Sequence, residues 1–208
     1  MLPSRLLVPY LLVFGGRRAT LLRVFGFGRS VRSMLPIDEK GSPLPFLPYA
    51  MIELLKERLQ PDFVLLEFGS GFSTMFFMKR VAKVISIEHD PVWIERLSSR
   101  LDTNVTVVSV SRETADTYCA FLAGNQERFD FILVDGRHRV ECFRRSIPHL
   151  TERGVIVLDD SNRERYAEIF EMARQAGFRS LNLLGHKPTS LELHRTTIFY
   201  RAGNCLDI

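Results

Sequence analysis

From Phe63 to Leu158 the chain alternates short apolar runs with stretches of helical spacing. No other feature restricts the fold as much. FVLLEF (63–68), VISIE (84–88), VTVVSV (105–110), FDFILV (129–134) and GVIVL (154–158) are short and rich in branched residues, and they read as buried strands. Between them, residues 72–81, a Pro91 segment carrying Trp93, Ile94 and Leu97, residues 114–123, and the series Val140, Phe143, Ile147 and Leu150 have the length and spacing of helices. Strands that alternate with helices imply an α/β fold with a parallel sheet and right-handed crossovers. Two more strands, Phe178–Leu184 and Thr196–Tyr200, follow a helix that Gly177 ends. No helix fits between them, so they are expected to form an antiparallel pair. The expected architecture is a doubly wound seven-stranded sheet, mostly parallel, with an antiparallel last strand. An additional helix, marked by Met51, Ile52, Leu55 and Leu59, precedes the first strand and follows a proline-rich stretch at 42–50.

Charge divides the chain into two parts. The 208 residues carry 28 basic and 24 acidic groups. Residues 1–37 hold six of the arginines (Arg5, Arg17, Arg18, Arg23, Arg29, Arg32) and no acid, so 38–208 keeps 22 basic residues against all 24 acids. The expected organisation is a basic apolar arm (1–37) and a single α/β domain (38–208). The body lacks the broad basic face of a nucleic-acid enzyme, so no nucleic acid is expected as partner. Three readings of the arm stay open: an amphipathic segment on anionic lipid, an extension packed on the body or on a second copy, and a poor signal peptide. Peripheral membrane contact and homodimerisation through 1–37 are its expected roles. Three widely spaced cysteines with no CxxC exclude a disulfide framework and fit a reducing, cytoplasmic setting.

Ligands of a doubly wound sheet bind beyond the carboxyl ends of its strands. The first such loop reads Glu67-Phe68-Gly69-Ser70-Gly71-Phe72-Ser73-Thr74. A dinucleotide fingerprint would place a third glycine where Thr74 stands. It would also avoid an acid beside the pyrophosphate, where Glu67 stands. A carboxylate next to a glycine loop suits a cationic ligand instead. A second acid, Glu88, ends the next strand, where a ribose would offer its hydroxyls.

VLLEFGSGFST followed by VISIEHDPVWIERL resembles motif I and the second strand of class I S-adenosylmethionine-dependent methyltransferases. ERFDFILVDGRHR (127–139) and GVIVLDDS (154–161) resemble their fourth and fifth strands, and TTIFYRAGNCL is similar to the last strand and tail of a bacterial-type subgroup. The resemblance spans about residues 43–208 and implies a Rossmann-like fold with S-adenosylmethionine as cofactor. It places Glu67 near the methionine amino end and the loop Phe68, Gly69, Ser70, Gly71, Ser73 and Thr74 around the cofactor. Glu88 would hold the ribose hydroxyls, His89 and Asp135 would lie beside the cofactor, and 109–112 would lie near the adenine.

Asp135 ends the fourth strand, and Asp159 and Asp160 end the fifth, so all three are expected over the same sheet edge. Methyl transfer to a hydroxyl requires alignment and loss of the hydroxyl proton. Asp135, His138 and Asp159 are the expected catalytic residues. An imidazole suits a base near neutrality, which is why His138 is among them. A divalent metal on Asp135, Asp159 and Asp160, the alternative route, resembles the catechol-type O-methyltransferases and is not favoured, because Asn162 is displaced from the position their pattern requires. Cys142 is expected as a buried thiol, and His149, His186 and His194 as surface residues. Arg137, Arg139, Arg144 and Arg145 read either as an anion-binding cluster or as a solvated helix face.

The expected activity is therefore S-adenosylmethionine-dependent transfer, by O-methylation, to a small-molecule or glycan-like acceptor. An NAD-dependent oxidoreductase on the same architecture and a catalytically silent methyltransferase-like binding protein are the competing readings.

Overall fold

The computed structural model describes residues 25–208. The apolar segment of the arm at 6–14 and its first four arginines lie outside the described residues. The helices are α1 (Phe27–Ser33), α2 (Tyr49–Arg58), α3 (Phe72–Phe77), α4 (Pro91–Ser98), α5 (Ala115–Tyr118), α6 (Ala120–Gly124), α7 (Arg139–Ser146) and α8 (Ala167–Gln175). The strands are β1 (Val64–Phe68), β2 (Lys83–Glu88), β3 (Val105–Ser109), β4 (Phe129–Val134), β5 (Leu150–Leu158), β6 (Arg179–His186) and β7 (Leu193–Tyr200). They form one sheet in the order β3-β2-β1-β4-β5-β7-β6. β1 to β5 run parallel, and β7 is antiparallel to both β5 and β6. This is the seven-stranded, Rossmann-like architecture expected from the alternation.

Successive strand residues face opposite sides of a sheet, and the apolar runs consequently fill two cores. Leu65, Val84, Phe131, Leu133, Val155 and Val157 pack toward α1, α2 and α3. Leu66, Phe68, Ile85, Ile87, Ile132, Ile156 and Leu158 pack toward α5 to α8. Because both faces are covered there, β1, β2, β4 and the end of β5 are buried almost continuously rather than alternately. Several boundaries differ from expectation, three of them instructive. α3 stops at Phe77 rather than 81. The expected helix at 114–123 divides at Cys119 into α5 and α6. β5 begins at Leu150, where it pairs with Phe129 before a register shift.

The described end of the arm docks on the body. Phe27 is buried edge-on to Tyr49, and Ser30 Oγ donates to the Ile37 carbonyl at 2.6 Å while accepting from the Ile37 amide at 3.1 Å. No helix among the described residues is long and apolar enough to cross a membrane.

Candidate active site at the carboxyl edge of the sheet

β1 and β4 are neighbours although β2 and β3 intervene in the chain, so the strand order reverses between them. That reversal opens a crevice above their carboxyl ends. Glu67 stands on its floor. The register sets Glu67 beside Ser86 of β2. The Ser86 hydroxyl donates to Glu67 at 2.5 Å, the Ser73 hydroxyl donates at 2.7 Å, and Thr74 Oγ1 donates as well. Thr74 Oγ1 also accepts from the Gly71 amide at 2.9 Å, which explains a threonine where a dinucleotide loop would carry glycine. Glu67 is 1% exposed, and no lysine, arginine or histidine among the described residues pairs with it. Burial pushes its carboxyl up to about 7 against the pull of the three hydroxyls.

Glu88 closes β2 and is buried as well. Its Oε2 accepts from the Ser70 amide at 3.0 Å and the Ser70 hydroxyl at 2.9 Å. Its Oε1 accepts from the amides of His89 (2.7 Å) and Asp90 (3.1 Å). His89 Nδ1 lies 2.9 Å from Oε1. The Asp90 side chain then caps α4, accepting from the amides of Val92 and Trp93, and Pro91 occupies the first turn. Trp93 Nε1 donates to the Ser70 carbonyl at 3.0 Å, so the α4 indole pins the glycine loop. Gly69 has φ 99°, a left-handed conformation that glycine adopts without strain.

The loop after β4 forms the opposite wall. A cavity of about 330 Å³ is bounded by Glu67, Gly69, Glu88, His89, Tyr118 and Asp135, among others. Gly136 lies so close to Tyr118 that a Cβ there would fall 2.1 Å from the phenol oxygen. The Tyr118 hydroxyl is buried, and no partner among the described residues meets it in full hydrogen-bonding geometry. Its ring packs on Phe68, His89 and His138. Asp135 bonds Arg139 Nη2 at 2.7 Å, and burial with the Asp159 charge behind it pushes its carboxyl up to about 8. About a third of the Asp135 side chain (34%) stays open to the cleft, where solvent tempers that rise. His138 is exposed, adopts a left-handed backbone (φ 48°), and has Nε2 3.0 Å from the Arg112 carbonyl. A carbonyl can only accept, so Nε2 carries the proton and Nδ1 of the neutral ring remains the basic atom. Arg112 also reaches His89 at 3.2 Å, tying the segment after β3 to both neighbouring loops.

The acids at the end of β5 have a different setting. Asp159 is buried; Lys187 Nζ donates to its Oδ2 at 2.5 Å and Thr196 Oγ1 to its Oδ1 at 2.6 Å. Lys187 is itself 1% exposed and donates to Asp160 Oδ1 at 2.8 Å. Arg163 and His194 also contact Asp160. Both aspartates are therefore neutralised by protein cations, with the Lys187 ammonium between them. Arg139 joins the two strand ends, donating to the carbonyls of Asp159 (2.5 Å), Asp135 (2.8 Å) and Gly136 (3.1 Å).

The structure thus gathers Glu67, Phe68, Gly69, Ser70, Ser73, Glu88, His89 and Asp135 around one cavity, with Gly71 and Thr74 supporting its loop. His138 lines an adjacent cavity of about 430 Å³ that shares Gly136, Arg137 and Arg139 with the first. His194 is no surface residue, because it sits between Ser190 and Asp160. His149 and His186 are each half-buried, with no partner for Nδ1 among the described residues. Cys142 is buried, its sulfur 3.6 Å from that of Cys119. Sequence reasoning missed Tyr118, Lys187 and Thr196. For Tyr118 the available signal was an aromatic residue in a short polar helix after the third strand.

Residues 66–161 match the family model of a methyltransferase domain. No curated protein matches the chain. Among solved structures, a "putative O-methyltransferase" from Klebsiella pneumoniae superposes with TM-score 0.57 at 17% identity, covering 94% of this chain and 97% of that one. Precorrin-6y C5,15-methyltransferase from Geobacter metallireducens superposes with TM-score 0.54 at 20% identity, covering 73% and 87%. A methyltransferase from Pyrococcus furiosus gives TM-score 0.55 at 19% identity, covering 85% and 96%. At these identities the structural likeness is one of fold, and the family match lies on the segment that builds the cavity. Residues 66–161 thus carry the match to a methyltransferase domain, within a fold that solved methyltransferases share.

Proposed function

We propose that the enzyme methylates a hydroxyl oxygen of a small-molecule or glycan-like acceptor. One observation carries this reading: two proton-accepting groups, Asp135 and His138, stand on either side of the wall shared by the two cavities. A neutral amine needs no base before it attacks, whereas a hydroxyl must lose its proton as the bond forms.

The residues of the first cavity fit the donor. Glu67 is a buried carboxylate without a cationic partner among the described residues and suits an ammonium group. Ser70 Oγ donates to the same Glu88 oxygen that a ribose hydroxyl would use. The Tyr118 hydroxyl offers a further polar contact. S-adenosylmethionine supplies an electrophilic methyl group on a sulfonium. The protein's part is to align the acceptor and take its proton, with Asp135 acting from the donor side and His138 Nδ1 from the acceptor side. Asp159 serves this pair as an anchor, since its carbonyl holds the arginine that holds Asp135. Lys187 already supplies the positive charge a divalent ion would bring to Asp159 and Asp160.

The test is methyl transfer from the donor to a panel of hydroxylated, amino and activated-carbon acceptors, with and without EDTA. The expected product is a methyl ether whose formation tolerates EDTA and falls about 10²–10⁴-fold in Asp135→Asn or His138→Ala. An N- or C-methyl product, or full activity in both variants, overturns the assignment.

A further inference from the structure

Of the four arginines the sequence groups after β4, three are engaged. Arg139 is buried across the strand ends. Arg144 is held by Glu141, and Arg145 by Glu141 and Asp116. Arg137 has no carboxylate partner among the described residues and is exposed on the wall shared by both cavities. The fold brings a second such residue to the same cavity from a distant segment. Arg165 is exposed and has no carboxylate partner among the described residues, and its guanidinium rests 5.0 Å from the centre of the Tyr166 ring. The other face-to-cation contact of that ring is with Arg139, at 5.6 Å. Tyr166 is buried, so it gives Arg165 a fixed platform. The remaining arginine of the wall, Arg163, is taken by Asp160. Glu168 is the wall's carboxylate without a basic partner among the described residues, so the unpaired groups of the cavity, Arg137, Arg165 and Glu168, sum to one positive charge.

We propose that this second cavity seats the methyl acceptor and selects an anionic one, a phosphate ester or a carboxylate, whose charged end is held by Arg137 and Arg165. The assignment of the cavity to the acceptor rests on the methyltransferase reading above. Its preference for an anion rests on the two free guanidinium groups alone. A guanidinium fork matches both phosphate and carboxylate oxygens in a bidentate way, and a stacked guanidinium loses less freedom on binding. The anion is a small molecule rather than a polyanion. One net charge in a cleft, on a body with fewer basic than acidic residues, gives no track for a nucleic-acid backbone. Holding the charged end on Arg137, next to Gly136, leaves the rest of the acceptor to reach His138 and the shared wall.

Ligand-observed NMR titrations of the full chain with phenyl phosphate, benzoate and neutral benzyl alcohol test this, each run with and without S-adenosylhomocysteine. Saturable binding of at least one anion is expected, with benzyl alcohol binding at least tenfold more weakly. Arg137→Gln/Arg165→Gln should lose at least tenfold in anion affinity while keeping its far-ultraviolet circular dichroism, and the single variant Arg165→Gln, which lines only the second cavity, should lose anion affinity while keeping its affinity for S-adenosylhomocysteine. Arg174→Gln, on the exposed face of α8, should change neither. The better of the two anions tells phosphate esters from carboxylates. Equal binding of the three probes, no anion binding, or an unaffected double variant overturns the proposal. Failure of S-adenosylhomocysteine to bind would count against the donor site alone, because the anion titrations without it still read the arginines.

Discussion

Two sets of buried acids stand on the same sheet edge and are satisfied in opposite ways. Glu67 and Glu88, at the ends of β1 and β2, are met mainly by hydroxyls and backbone amides. Asp159 and Asp160, at the end of β5, are met by Lys187, with Arg163 and His194. Hydrogen bonds from neutral donors leave the charge of a carboxylate uncancelled, so the first pair can still attract a cation. The Lys187 ammonium and the Arg163 guanidinium together cancel the charge of two carboxylates, so the second pair is a structural brace. Position at a strand end is common to both, and the partners assign the role.

The comparison breaks most visibly at Lys187. Lys187→Met should cost about 3–5 kcal/mol of stability in urea unfolding, because it strands two buried carboxylates. A loss below about 1 kcal/mol would show that the brace is not one. The next effect is in pH. Glu67 titrates near 4.5 when unfolded and near 7 when folded, so the folded state binds the extra proton between those values. Its contribution is fully present below pH 4.5 and is lost as pH rises through 7, about 3 kcal/mol over that window. Asp135 acts in the same direction up to about pH 8. Glu67→Gln should flatten the fall in stability measured from pH 4.5 to 7, and an unchanged slope would remove Glu67 from the uncancelled pair. Glu88→Ala should weaken S-adenosylhomocysteine by about 1.5–3 kcal/mol in calorimetry, the size of a charge-assisted hydrogen bond, whereas Arg163→Gln at the brace should leave that affinity intact. The smallest effect belongs to Trp93→Phe. Losing one neutral hydrogen bond to Ser70 should cost about 1 kcal/mol in thermal unfolding.

The pattern of the sheet was legible because each strand is a local run of branched residues, and so were Glu67 and Glu88, which follow directly from the strand ends. The brace was not. Asp159 and Asp160 look like Glu67 in sequence, and the residue that separates them, Lys187, comes after two further elements, in the turn between β6 and β7. Only the antiparallel return of β7 beside β5 brings Thr196 and Lys187 to those acids. Arg165 escaped notice for the same reason: the short turn before α8 carries it to a helix 20 or more residues upstream. Boundaries failed where packing overruled periodicity, as at Cys119, whose burial against Cys142 falls where α5 gives way to α6.

Trp93 is the single tryptophan of the chain, and its indole N–H is bonded to the backbone of the glycine loop itself. The protein therefore carries a built-in optical reporter of that loop. Its ultraviolet-excited emission comes from one position, beside the carbonyl of the residue that holds Glu88, so any ligand that shifts Ser70 changes the colour and intensity of the whole tryptophan signal. Occupancy of the site can be followed in the unlabelled enzyme, without a known acceptor and without turnover.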